Sequence, residues 1–134
     1  MTLHQPPLPI IKNKAREKRA NPNPNDPTPL GVFTDICNVF GLQNELFLLK
    51  DQREDTVKFK RLYCYVANVL TSASSDKIAA MINCHRATYY WHAEICVQLF
   101  ESNDYMFMAL WERYVNGSLI WNSNYRNKKR LLCQ

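Results

Sequence analysis

All seven prolines of this 134-residue chain fall within its first 29 residues, at positions 6, 7, 9, 22, 24, 27 and 29. Proline lacks an amide N–H and clashes with the preceding turn, so no helix or strand runs through either cluster. Beyond residue 29 there is no proline, and the only glycines are Gly31, Gly41 and Gly117. A stretch that long with so few breakers, and without alternating Val/Ile/Thr runs, predicts an all-α fold. Hydrophobic residues make up 46% of the chain, enough for the core of one domain. The expected architecture is a compact bundle of about five to six helices with disordered basic tails.

Three regions follow. Residues 1–29 read as a proline-rich arm in which Lys12, Lys14, Arg16, Lys18 and Arg19 face only Glu17 and Asp26. Such a segment is solvated, or lies along phosphates. Residues 30–116 read as the folded domain. Residues 117–134 read as a basic tail, with Arg126, Lys128, Lys129 and Arg130 and no acid. The net charge of +5 suits a polyanionic partner.

Within the domain, Val32, Phe33, Ile36, Val39 and Phe40 share a helical face, and Gly41 is a good stop. Asn44-Glu45 opens a short second helix carrying Leu46, Phe47, Leu48 and Leu49. KDQREDT, residues 50–56, reads as a charged connection. A third helix is predicted over 58–70, with Leu62, Val66, Val69 and Leu70 inward. Its leading end carries Lys58, Lys60 and Arg61, cations that oppose the helix dipole unless a phosphate binds there. Later, Ser102-Asn103-Asp104 caps a last helix whose Phe107, Leu110, Trp111 and Tyr114 close the core, and Gly117 ends it.

The stretch 74–100, SSDKIAAMINCHRATYYWHAEICVQLF, is the most informative. Ser74 or Ser75 can cap a short helix over 75–82, with Asp76 at the positive end of its dipole. Ile78, Ala79 and Ile82 share its inner face. Asn83-Cys84-His85 is the break, since Asn tolerates left-handed geometry. A longer helix starts near Arg86, with Tyr90, Ala93, Val97 and Phe100 inward and Arg86, Thr88, Tyr89 and His92 on the opposite face. Tyr89, Tyr90 and Trp91 are consecutive, so at least one of them must face solvent or a partner. A short helix, a tight turn and a longer helix with a polar leading end make a helix-turn-helix.

Catalysis is poorly served. No carboxylate pairs obviously with His85 or His92, and no glycine-rich loop cradles a phosphate, so the expectation is a non-enzyme without cofactor. The five cysteines, at 37, 64, 84, 96 and 133, form no CxxC pair and no zinc-finger spacing, which predicts reduced cytosolic thiols and no metal. No apolar run reaches the ~20 residues of a membrane span, and the N-terminus lacks an apolar signal core. A cytoplasmic location follows as the expectation, at the nucleoid if the chain binds DNA.

At these residues the sequence resembles the C-terminal DNA-binding domain of the bacterial replication initiator DnaA, over about residues 32–115. VANVLT (66–71) stands where that family has A-x-E-L-T, SSDKIA (74–79) matches its S-L-P-E-I-G, and NCHRATYYWHA (83–93) matches its G-x-x-D-H-T-T-V-L-H-A. The departures are specific. Where the family's base-reading acid, histidine and first threonine stand, this chain has Arg86, Ala87 and Thr88. Tyr89 replaces the second threonine, and His92 keeps the histidine before the alanine. The family's arginine-rich loop is here KDQREDT, acidic in balance. Lys60 and Arg61 keep in kind the basic positions at the start of the third helix.

The resemblance implies a retained fold, an altered target and no initiator ATPase domain, as in a stand-alone domain of a phage, plasmid or mobile element. The expected function is double-stranded DNA binding, in replication or regulation, through Lys58, Lys60, Arg61, Lys77, Arg86, Thr88, Tyr89 and His92. The alternative is an assembly or packaging module that kept the fold, lost base reading and holds a replication or phage protein. That module would use Tyr89, Trp91, Trp121 and Tyr125.

Overall fold

The computed structural model of the chain describes residues 25–43 and 54–124. The basic arm before residue 25, the helix expected at Asn44, the acidic loop to residue 53 and the tail from Tyr125 lie outside the described residues. Within them every regular element is helical: α1 Pro29–Phe40, α2 Glu54–Leu70, α3 Ser75–Ala80, α4 Arg86–Glu101, α5 Tyr105–Gly117, and α6 over residues 119–124.

The helix ends follow from single residues. Thr28 caps α1 by accepting from Gly31 N at 3.0 Å, and Pro29 occupies the first turn, where a missing N–H costs nothing. Gly41 closes the same helix at φ 65°. Ser74 accepts from Lys77 N at 3.3 Å to start α3, and Asp104 accepts from Phe107 N at 2.9 Å to start α5. Asn83 and Asn103 both take φ 53°. Around each, the two bonds of a Schellman cap form. Cys84 N donates to Ala79 O and Asn83 N to Ala80 O; Asp104 N donates to Leu99 O and Asn103 N to Phe100 O.

α2 is the central element and packs against α1, α3 and α4. Leu62, Tyr63, Val66 and Leu70 on it are wholly inaccessible. α2 and α4 run antiparallel, because Asn68 lies opposite Tyr89 while the carbonyl of Arg61 accepts from Cys96 Sγ. The other end of the core is aromatic. Trp111 meets Phe100 at 4.9 Å and Trp121 at 4.8 Å between ring centroids, both edge to face. Contacts of this geometry each contribute about 0.5–1.5 kcal/mol beyond area burial.

Two boundaries differ from the sequence expectation. α2 begins at Glu54, not Lys58, so Lys58, Lys60 and Arg61 lie beyond its first turn and do not sit at its positive end. The fold also continues past Gly117. Ser118 Oγ donates to Asp35 Oδ2 at 2.5 Å and accepts from Trp121 N at 2.9 Å, so it ties α1 to α6 and caps α6 at once. Tyr114 Oη donates to the same Asp35 oxygen at 2.9 Å. Trp121, on a segment expected to be tail, is 2% exposed and belongs to the core.

Candidate nucleic-acid interface

Backbone chemistry fixes the α3–α4 unit on both sides. The Schellman cap at Asn83 turns the chain through residues 81–85, and the Tyr63 hydroxyl of α2 donates to Ile78 O at 2.8 Å. That carbonyl lies in the last turn of α3, where intrahelical donors run out. At the start of α4, His85 accepts from Ala87 N through Nδ1 at 3.1 Å. Accepting there leaves Nε2 as the donor nitrogen of the ring. Sequence reasoning placed His85 only in the break, and the signal it missed is positional: His85 immediately precedes the first helical residue.

The surface of this unit is formed by Asp76, Lys77, Ala80, Asn83, His85, Arg86 and Ala87, all exposed, with Thr88 half-buried. One turn further along α4, Trp91 is 52% exposed. The Arg61 guanidinium lies over its ring at 5.8 Å from the centroid, a cation–π contact between α2 and α4. The solvent side of the second half of α4 carries Glu94, Gln98 and Glu101.

Three of the eight expected DNA contacts are buried. Tyr89 is fully buried, with its hydroxyl accepting from Asn68 Nδ2 at 2.8 Å. His92 is 6% exposed. Its Nδ1 is buried without a hydrogen-bond partner, and burial, then the charges of Arg61 and Lys60, lower its pKa to about 4. Lys60 is 8% exposed, and its charge acts inward on His92, Cys64 and Cys84. The reason is packing. α4 is pressed by α2, α3 and α5, so its buried arc widens to take in Tyr89, His92 and Cys96 as well as Tyr90, Ala93 and Phe100.

The remaining cations divide into two groups. Lys77 and Arg86 stand at the leading end of the unit. Lys58 and Arg61, half-buried, line a groove beside Leu99. From Arg86 to Leu99 along α4 is about 20 Å at 1.5 Å per residue. Lys58 therefore does not share a patch with Arg86 but marks the other end of the helix.

Cys37, Cys64, Cys84 and Cys96 are free thiols, and burial pushes the Cys64 and Cys96 thiols well up from their ordinary value. No group of three His, Cys, Asp or Glu side chains that could hold a metal ion occurs among the described residues. No helix among them is long and apolar enough to cross a membrane.

Against family models, curated proteins and solved structures, the chain has no match. The fold and the surface of α3 and α4 are therefore the ground on which a function is argued.

Proposed function

We propose that this chain binds double-stranded DNA through α3 and α4, used as a helix-turn-helix. The observation that carries the reading is the leading end of α4. It stands clear of the core behind a doubly bonded turn, with Arg86 and Ala87 exposed, Lys77 presented by α3, and the carboxylates of α4 confined to its far half. A helix so arranged can enter the major groove by its first two turns while Glu94 and Glu101 stay away from phosphate. Arg86 then reads a base edge, for which guanine O6 and N7 are the best partners. Thr88 meets a phosphate or thymine methyl, and Lys77 holds the backbone. Arg61, over Trp91 beside the middle of α4, and Lys58 beyond it serve a second strand segment. The resemblance of residues 74–93 to the initiator domain supports the same reading, and so does the excess of cations over 57–94, where five face Asp76 and Glu94. A role in replication or regulation of a phage or mobile element fits a domain of this kind.

The test is an anisotropy titration with a random pool of short duplex DNA across a salt series, followed by sequencing of the bound fraction. With Arg86 on a base edge, the three cations Lys58, Arg61 and Lys77 neutralising three phosphates give log K a slope against log salt of about −2 to −3. A steeper slope assigns the excess to the arm and tail. Arg86→Ala should relax preference at one base pair by about 1–3 kcal/mol, whereas Lys77→Ala should weaken all sequences alike. Absence of binding at low salt sinks the reading. The exposed Trp91 favours a second one, in which the same face holds a protein. In that case Trp91→Ala abolishes partner binding, and the DNA titration stays flat.

A further inference from the structure

A concavity of about 750 Å³ lies away from the α3–α4 turn, between the start of α2, the end of α4 and the length of α5. Its floor is apolar, built from Val57, Leu99, Phe107 and Leu110. Met106 stands 71% exposed on its lip, next to Tyr105 at 87%. Met106, Ala109 and Arg113 recur at i, i+3 and i+7, so α5 turns a continuous stripe into the groove. From Asp104 to Arg113 that stripe runs about 13 Å, which is two to three turns of a docked helix.

Charge decides the occupant. Among the described residues, Lys58, Arg61 and Arg113 line the groove against one acid, Asp104, whose carboxylate already accepts from Phe107 N. The Arg61 Nε is buried without a hydrogen-bond partner. An apolar floor with a cationic rim complements an amphipathic helix whose apolar stripe is flanked by Asp or Glu. Methionine at the lip suits such a partner, since its unbranched thioether repacks against different side chains. We infer that this groove is a docking site for a short acidic amphipathic helix of a partner protein. It is a second surface that stands apart from the DNA-binding reading and shares with it only Lys58 and Arg61.

The experiment uses the full chain and two fluorescent helical peptides with the same leucine stripe, one flanked by glutamate and the other by lysine. The expected result is saturable binding of the glutamate peptide with Kd below about 100 μM, at least about tenfold tighter than the lysine peptide. Met106→Glu and Arg113→Glu should each weaken it at least about tenfold, while Met106→Leu retains it. Circular dichroism melts of each variant establish that these exposed positions leave the fold intact. Duplex DNA binding by Met106→Glu should be unchanged. No saturable binding, equal binding of both peptides, or indifference to Met106→Glu overturns the proposal. It is equally overturned if sedimentation shows Met106→Glu dissolving a dimer, which makes the occupant a second copy. The same holds if Met106→Glu weakens duplex binding as much as peptide binding, which makes the groove part of the DNA face.

Discussion

Tyr89→Phe removes one oxygen atom and separates two accounts of the same residue. From sequence, Tyr89 offers its hydroxyl to a phosphate. In the fold, the ring is fully inaccessible and the hydroxyl accepts from Asn68 Nδ2 at 2.8 Å, inside the α2–α4 interface. Phenylalanine keeps the ring contacts, including the tilted pairing with Tyr90 at 4.7 Å, so no cavity opens beyond the oxygen itself. What is lost is an acceptor for a buried amide. Leaving such a donor short of a partner costs about 1–2 kcal/mol. For a folded unit of this size each kcal/mol lowers Tm by about 4–8 °C, so the variant should melt roughly 5–15 °C lower. Circular dichroism melts give that number. Anisotropy with duplex DNA, well below both midpoints, should give a Kd unchanged within about twofold. Asn68→Leu combined with Tyr89→Phe removes donor and acceptor together, and should recover part of the loss. The reasoning is refuted if Tyr89→Phe leaves Tm unchanged and weakens DNA binding across sequences, because the hydroxyl would then be at the surface.

Other consequences are equally direct. Trp121→Ala empties a nearly inaccessible site against Trp111 and should cost about 3–5 kcal/mol in urea unfolding; a loss below about 1 kcal/mol would falsify the inclusion of residues 118–124 in the fold. His92 makes stability pH-dependent, because burial first, then Arg61 and Lys60, depress its pKa from 6.5 to about 4. Above pH 6.5 both folded and unfolded chains hold it neutral and its contribution is undiminished; as pH falls from there toward 4, only the unfolded chain takes up the proton and stability is lost. His92→Gln should flatten that interval in unfolding curves measured from pH 7 to 4, and identical slopes in parent and variant refute the assignment. Asn83 sits at φ 53°, so Asn83→Ala should cost about 1 kcal/mol in thermal melts while Asn83→Gly is neutral or slightly stabilising. Equal effects of the two substitutions would mean that backbone geometry does not set the turn.

The features legible in the sequence are those in which one residue's chemistry decides one local geometry. Ser74 and Asp104 are caps because a short oxygen-bearing side chain reaches the orphan amides of the next turn. Asn83 is a left-handed turn residue for a similarly local reason, and proline and glycine placement gave the helical class. Apart from the start of α2, the misreadings lie where neighbours decide. An interior phase of Tyr90, Ala93, Val97 and Phe100 assumes a helix packed on one side, but α4 has neighbours on several, and Val97 ends half-buried while Tyr89 and His92 go in. Lys60 reads as surface charge, and only the approach of α4 and the turn before it encloses it. The segment 119–124 is too short for periodicity to register, and the link that makes it structural runs from Ser118 across the chain to Asp35.

That enclosure also limits how this protein can act. With Lys60 inside and His92 held neutral at physiological pH, the folded part cannot spread positive charge along α4. It offers cations at the leading end of that helix, one over the exposed indole and one near its far end, with the carboxylates in its second half. A backbone-only binder gains from a continuous cationic strip, whereas a groove-reading helix needs charge to hold its ends and neutral or polar atoms at the base edges. The arrangement of Lys77 and Arg86 at one end, Lys58 at the other, and Ala87, Thr88 and Trp91, with Arg61 over its ring, between them favours groove reading. Non-specific affinity is then left to the cations at residues 12–19 and 126–130, outside the described residues. If the proposed reading holds, changing Arg86 should alter which DNA is chosen, and changing the arm or tail should alter how tightly any DNA is held.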